Sequence, residues 1–304
     1  MENKWSPLRL LITGASGLYG SKLAFLAEKK GHSVFSAYSQ HKPVFGKPVQ
    51  LDVSNQEQVT KTFKEVAPEV VVHAASLTDV DTCELNHELA WKINVEGTEN
   101  VAKASRTHDA FLIYISTDYV FNGERGNYRE SDLPDPINYY GLTKVKAEEQ
   151  VKSLMDEHCI ARPSVIYGAT PAAGKINFAL WIIKKLRKNE QVKIVTDQWV
   201  SPTLNSSLAD MTLEVMERKL IGIYHLSGAT RINRYDFAKL IAQTFNLNCN
   251  MIKPVISAEM SWAAKRPRDS SLDTAKAQQT LKNPPLSIER ALQEMKRELA
   301  IPND

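Results

Sequence analysis

"LRLLITGASGLYGSKLAFLAEKKG", residues 8–31, decides the fold. Its opening residues are nearly all apolar, the pattern of a strand covered on both faces of a parallel sheet. A turn follows in which Gly14, Gly17 and Gly20 are spaced three apart, and residues 20–31 then have helical periodicity. Taken by itself, a glycine-rich turn needs no ligand. Between a strand and a helix it has the context of a pyrophosphate site, because glycine lets the backbone approach the phosphates and their charge faces a helix N-terminus. The stretch predicts a dinucleotide-binding unit.

The alternation continues outward. "HSVFSAY" (32–38), "EVVVHAA" (69–75) and "AFLIYIST" (110–117) read as further strands. The stretches 55–66 and 84–105 have helical spacing between them. Alternating strands and helices specify an α/β fold, a doubly wound parallel sheet of Rossmann type. The later half is more mixed, with helices expected near 174–188, 205–218, 233–245 and 286–299 and short strands near 192–195 and 222–226. It reads as a smaller α/β substrate-binding lobe, which divides the chain into residues 1–168 and an interleaved 169–304.

Composition removes several function classes. The 304 residues are 43% hydrophobic and 24% charged, as in ordinary soluble globular proteins. No apolar run approaches the roughly 18–20 residues of a membrane span. The start, of mixed charge, enters a strand at once and does not read as a signal peptide. Cys83, Cys159 and Cys249 are odd in number and far apart, which points to reduced thiols and a cytoplasmic address. No cysteine–histidine spacing suggests a metal. A net charge of +3 gives no footprint for nucleic acid.

The second strand indicates which dinucleotide. An acid about 20 residues after the glycines would bind the ribose 2′-hydroxyl of NAD. No Asp or Glu occurs between Lys29 and Leu51, and "YSQHKP" instead offers Ser39, His41 and Lys42 to a 2′-phosphate. NADP(H) is therefore expected, with NAD(H) the alternative. Asp52, after the third strand, is either an adenine contact or the cap of the next helix.

Three Tyr-x-x-x-Lys pairs compete for the chemistry. Tyr38/Lys42 belongs to the adenosine end. Tyr235/Lys239 lies in an amphipathic helix of the later lobe with no strand end beside it. Tyr140/Lys144 follows "YISTDYVF", the end of the fifth strand, where ligands of open α/β sheets bind. A helix starting near residues 136–139 puts this pair one turn apart on one face. Carbonyl reduction needs a proton at oxygen, and a nearby ammonium would bring a phenol, ordinarily near 10, toward the useful range. Ser116 and Thr117 point into the site. Thr117 is suited to hold the carbonyl oxygen, Asp118 to contact substrate or orient its loop, and Asn94 to join the network or lie on a helix surface.

These residues resemble the extended short-chain dehydrogenase/reductase superfamily, through "TGASGLYG", "HAAS", "INVEGTENVA", "ISTDYVF", "YYGLTKVKAEE" and "ARPSVIYG" in order. Two branches are most similar. The dTDP-4-dehydrorhamnose reductases share "ISTDYVFNG", "DQWVSPT", "GIYHLSG" and "RPRDSSLD"; the regulatory beta subunits of methionine adenosyltransferase share "YRESDLPDPINYYGLTK" and "KRPRDSSLD". The resemblance implies that Tyr140 is the proton donor, Lys144 its partner, and Thr117 and Asp118 carbonyl contacts. The cofactor set expected with it comprises Gly14, Ser16, Gly17, Leu18, Gly20, Ser39, His41, Lys42, Asp52, Val53, Ala74, Ala75, Ser76, Asn94, Tyr140 and Lys144. The implied activity is NADP(H)-dependent reduction of a nucleotide-linked 4-keto-6-deoxy sugar. The alternatives are a cofactor-binding regulatory subunit or a nucleotide-sugar epimerase or dehydratase. Two departures fall in the sugar-facing region: Val165 where the rhamnose reductases have tryptophan, and Val200 where they have glycine. A homodimer through the helical stretches 84–105 and 137–155 is also expected.

Overall fold

A computed structural model describes residues 6–170 and 175–300. The expected helix start at 174 and the two chain ends of the expected division lie outside these residues. The strands, in chain order, are β1 (Arg9–Thr13), β2 (Ser33–Tyr38), β3 (Lys47–Gln50), β4 (Val70–His73), β5 (Phe111–Ile115), β6 (His158–Ala161), β7 (Ser164–Tyr167), β8 (Val192–Val195), β9 (Trp199–Val200), β10 (Pro202–Leu204), β11 (Gly222–Tyr224), β12 (Ile232–Asn233) and β13 (Ile252–Val255). Seven of them form one parallel sheet in the order β3-β2-β1-β4-β5-β6-β11. β4 and β5 are buried along their whole length, since helices cover both faces of the sheet.

Those helices are α1 (Leu18–Lys29), α2 (Gln56–Val66), α3 (Val80–Leu85), α4 (His87–Trp91), α5 (Gly97–Thr107), α6 (Tyr139–Leu154) and α8 (Asn205–Arg218). α1 and α8 close one face over Leu10, Ile12, Val70 and Ile113. α2, α5 and α6 close the other over Leu11, Val71, Leu112 and Ile160. The remaining helices are α7 (Phe178–Arg187), α9 (Arg234–Thr244), α10 (Ala275–Thr280) and α11 (Ile288–Ala300). α7, α9 and α11 pack with β8, β10 and β13 around a second core that includes Ile182, Ile194, Phe237 and Leu292.

Two elements differ from their sequence reading. β11 was expected in the smaller lobe, but pairs with β6 as the seventh strand of the main sheet. The reason is α8, which packs on α1 like a crossover helix, with the Tyr19 hydroxyl donating to Thr212 Oγ1 at 2.8 Å. The chain therefore visits the smaller lobe and returns. The stretch 84–105, read as one helix, is broken. Asn86 ends α3 and caps α4 through Leu89 N, and a π-helical turn at Lys92–Glu96 leads into α5.

One buried ion pair joins the helix layer to the strand ends. Arg162, just beyond β6, donates Nε and Nη2 to the Glu148 carboxylate of α6 at 2.8 and 2.6 Å. Ser116, just beyond β5, donates to the same carboxylate at 2.6 Å. Both charged side chains are 1% exposed. Burial pushes the Glu148 carboxyl up, but the Arg162 and Ser116 bonds outweigh it and hold it below its ordinary value. Arg162→Ala leaves that buried carboxylate only Ser116 and the half-exposed Lys152, at 3.6 Å, and is expected to cost about 3–5 kcal/mol in urea denaturation, whereas Glu148→Leu/Arg162→Met should recover most of the loss. A small effect of Arg162→Ala would show that water reaches the pair.

Candidate active site

The strand order reverses between β1 and β4, and a cleft of about 720 Å³ opens at their carboxyl ends. The glycine turn forms one wall. Gly14 has φ +69°, and a Cβ there would lie 2.8 Å from Ala75 N. A Cβ on Gly20 would lie 2.4 Å from Gly14 O, so the helix can pack on its own turn only without a side chain. Gly17 is the N-cap of α1, whose first turn carries no acid. Its absent Cβ would meet Gly14 O alone, at 3.2 Å, and this leaves the helix end open to an anion.

Most of the expected cofactor residues line this cleft: Ser16 and Leu18 with the three glycines, then Ser39, Asp52, Val53, Ala74, Ala75 and Ser76. His41 and Lys42 do not; they are exposed on the loop after β2, and Tyr38, Ser39 and Gln40 are the lining residues there. None of those three is acidic. Asp52 is not a helix cap, since Asn55 caps α2; Asp52 instead accepts from Ser54 N and Oγ at 2.9 and 2.8 Å. Asn94 lies outside the lining and is 1% exposed. Its amide accepts from Ser76 Oγ and Leu77 N and donates to Leu77 O and Thr143 Oγ1. With all four positions taken, Asn94 positions the 76–77 loop against α6, and the π-helical turn is what places it there.

Beneath the glycine turn, hydrogen bonding fixes one tautomer of His73. Thr13 Oγ1 accepts from Ala74 N and Ala75 N, so its hydrogen points to His73 Nδ1 at 2.7 Å. The Thr98 hydroxyl donates to Asn94 O and must accept from His73 Nε2, 3.0 Å away. The imidazole is therefore neutral with its hydrogen on Nε2. Burial and then the Lys144 charge push its pKa down to about 3.

Tyr140 and Lys144 lie on one face of α6 in the cleft, beside Thr117 and Asp118. The helix can begin there because Gly141 admits the Tyr119 carbonyl, which would stand 2.2 Å from a Cβ. Lys144 Nζ donates to Ile115 O at 2.7 Å and stands over the Tyr114 ring. Burial brings its pKa down to about 7, with Glu148, one turn further along, opposing. The Tyr140 phenol shifts upward, opposite to the sequence expectation. Burial raises it, and the Thr117 hydroxyl opposes with less effect. The Asp118 carboxylate accepts from the hydroxyls of Thr117, Ser164 and Ser270 at 3.0, 2.7 and 2.6 Å, so it orients its loop. Of the other tyrosine–lysine pairs, only Tyr38 reaches the cleft; Tyr235 packs against the smaller lobe's core with Lys239 over its ring.

Val165 lines the cleft at φ +38°, a left-handed conformation rare for a β-branched residue. Val200 is buried in β9 opposite Ile232 and does not line the cleft. Sequence reasoning missed Glu148, Arg162, His73 and Gly141 as contributors. Only Glu148 carried a signal, four residues beyond Lys144.

A family model described as RmlD substrate binding domain matches residues 8–301. The chain belongs to the RmlD substrate binding domain family. Within and around this RmlD family, the chain is 30% identical to dTDP-4-dehydrorhamnose reductase of Aggregatibacter actinomycetemcomitans, over 95% of this chain and 98% of that protein. It is 34% identical to methionine adenosyltransferase 2 subunit beta of Xenopus laevis, over 88% of this chain and 81% of that one. Among solved structures, dTDP-4-dehydrorhamnose reductase of Bacillus anthracis, in complex with NADP, superposes with a TM-score of 0.87 at 34% identity. That match covers 96% of this chain and all of the other.

The His73 geometry has a direct readout. Imidazole nitrogen NMR should find the Nε2–H tautomer at pH 7 and no protonation down to pH 5. Because the unfolded histidine takes its proton near 6.5 and the folded one near 3, this residue withdraws stability as pH falls between those values, by about 1.4 kcal/mol per unit. Titration of the His73 signals near 6.5 would rule the tautomer argument out.

Proposed function

We propose that the protein is an NADP(H)-dependent reductase of a nucleotide-linked 4-keto-6-deoxy sugar, of the dTDP-4-dehydrorhamnose reductase type. The observation that carries this reading is the convergence of the glycine turn and Tyr140/Lys144 on one cleft. The cleft fits the dinucleotide. Gly14 and Gly17 leave room for its phosphates, and the end of β2 presents Ser39 and Gln40 with no acid to repel a 2′-phosphate. When bound, NADPH supplies the hydride for the carbonyl carbon.

The chain's own residues handle the proton. Tyr140, kept as a phenol by burial, has the form needed to donate to the carbonyl oxygen. Thr117, whose hydrogen goes to Asp118, stands beside that hydroxyl and orients it. Lys144, anchored on Ile115 O, supplies positive charge near the oxygen as it gains electrons. Asp118 and Asn94 keep these groups in place. The 34% identity to a methionine adenosyltransferase beta subunit favours a second reading, a regulatory subunit that binds the cofactor without turnover.

The cytoplasm is the compartment we assign, on the three free cysteines. The oligomer we assign is a homodimer through Leu85, Leu89, Ile137 and Leu142, apolar side chains exposed on or beside α3, α4 and α6. Sedimentation should find two chains for the parent and one for Leu89→Glu/Leu142→Glu; a monomeric parent would refute this interface.

The reaction is tested by following NADPH oxidation with dTDP-4-dehydro-L-rhamnose. Tyr140→Phe should lower turnover about 10²–10⁴-fold and leave NADPH affinity nearly unchanged. In the parent, kcat/KM should fall as pH rises through about 7, because the free enzyme then loses the Lys144 charge. NADPH binding without turnover would favour the regulatory reading; full activity of Tyr140→Phe would exclude it as proton donor.

A further inference from the structure

Lys144 carries its ammonium in a nearly dry place, 2% exposed. Among the described residues one oxygen takes a hydrogen bond from it, Ile115 O at 2.7 Å. The titratable and charged groups around it offer little more. Glu148, one turn along α6, gives its carboxylate to Arg162, Ser116 and Lys152. Cys83 of α3 donates its thiol hydrogen to Leu77 O, and burial pushes that thiol up to about 11. His73 of β4 is neutral, and Tyr140 of α6 is a phenol. An ammonium taken out of water without a counter-charge of its own is costly to keep ionised.

β5 supports it with two consecutive residues. Side chains alternate along a strand, so Ile113 and Ile115 face α1 and α8, whereas Tyr114 shares its core with Ala147 and Val151 of α6. The Ile115 carbonyl and the Tyr114 ring are thereby presented to the same ammonium, with Nζ 4.3 Å from the ring centroid. Tyr114 is fixed in that position, paired in register with His73, whose ring centroid is 5.8 Å from its own. Its hydroxyl, on the Thr98 side, is buried with no partner in hydrogen-bond geometry. The ring, then, is what the lysine meets. The face of an aromatic ring is the negative side of its quadrupole, and its attraction for a cation grows where water is excluded. Tyr114 does not line the cleft, so it reaches the reaction only through Lys144.

We propose that Tyr114 is a positioning residue: its π face seats the Lys144 ammonium and keeps it charged at the reacting end of the cleft. The seat rests on the geometry; its effect on rate rests on the reductase reading.

The test titrates Lys144 directly by NMR, in whole protein carrying isotope-labelled lysine, with Lys144→Met to assign the signal. The parent midpoint should lie near 7. Tyr114→Phe keeps the face and should hold that midpoint. Tyr114→Met stays apolar without the face and should lower it by about one pH unit, the size of a desolvated cation–π contact. Pentafluorophenylalanine at position 114 keeps the shape of the ring and reverses its quadrupole, and should lower the midpoint at least as far. Thermal melting reports that each variant is folded. In turnover, Tyr114→Met and the fluorinated protein should lose kcat/KM about 10-fold at pH 8 and recover toward the parent below about pH 6; a merely distorted site loses it at every pH. A midpoint that stays near 7 in the fluorinated protein overturns the seat, whatever Tyr114→Met does. If the midpoint moves as expected while the parent reduces no keto sugar, the seat stands and the reductase reading falls. Turnover with an unmoved midpoint gives the reverse.

Discussion

The reversal of strand order between β1 and β4 is the constraint on which the site depends. After β1 the chain departs to one face through α1 and after β4 to the other through α5, so a crevice stays open between the ends of these two strands. The glycine turn leaves β1 into that crevice, the Ala74–Ala75 loop leaves β4 beside it, and Ser116–Thr117 leaves β5 next along. Tyr140 and Lys144 reach the same crevice because α6 returns over β5. The smaller lobe then supplies the remaining wall.

Much of this was legible because parallel sheets write themselves plainly. Buried strands appear as apolar runs, and a glycine turn between strand and helix has few other uses. The choice of Tyr140/Lys144 among three equal spacings followed from its position after a strand end. The illegible parts share a different cause: they are contacts across long sequence separations. Nothing in "GIYHLSG" says that Gly222–Tyr224 pairs with β6 and not with a strand of its own lobe. Nothing in "ARPSV" says that Arg162 meets a carboxylate on α6. His41 and Lys42 were attractive by charge alone, yet the loop after β2 carries them away from the cleft.

Burial also reverses an expectation that spacing encourages. A lysine one turn from a tyrosine suggests an ammonium drawing the phenol toward ionisation. In the folded chain each group is desolvated, so burial acts on both first: the phenol moves up and the ammonium down. Lys144 turns its donors to the Ile115 carbonyl, and Glu148 sustains its charge from the far side. The arrangement favours a protonated donor over a phenolate base, which suits reduction in the direction of proton delivery.

Hydrogen-bond capacity separates the residues that hold the site from those that face a ligand. Asn94, Asp118 and His73 sit among the candidate residues and are titratable or polar, but each spends its bonding on the protein. A group so committed cannot bind substrate without breaking bonds that cost about 1 kcal/mol each to lose and more when buried. Its use is to restrict movement. Arg234, at the start of α9 in the cleft lining, differs in having a buried Nε with no acceptor. Val165 belongs with it: a β-branched residue at positive φ carries strain of about 1–3 kcal/mol, kept only where the surroundings impose it. The strain sits on β7, whose partner β10 ends at Leu204, the N-cap of α8, so the backbone there is fixed from both sides. Unspent bonding and imposed strain thus lie along the cleft wall between Tyr140 and the smaller lobe.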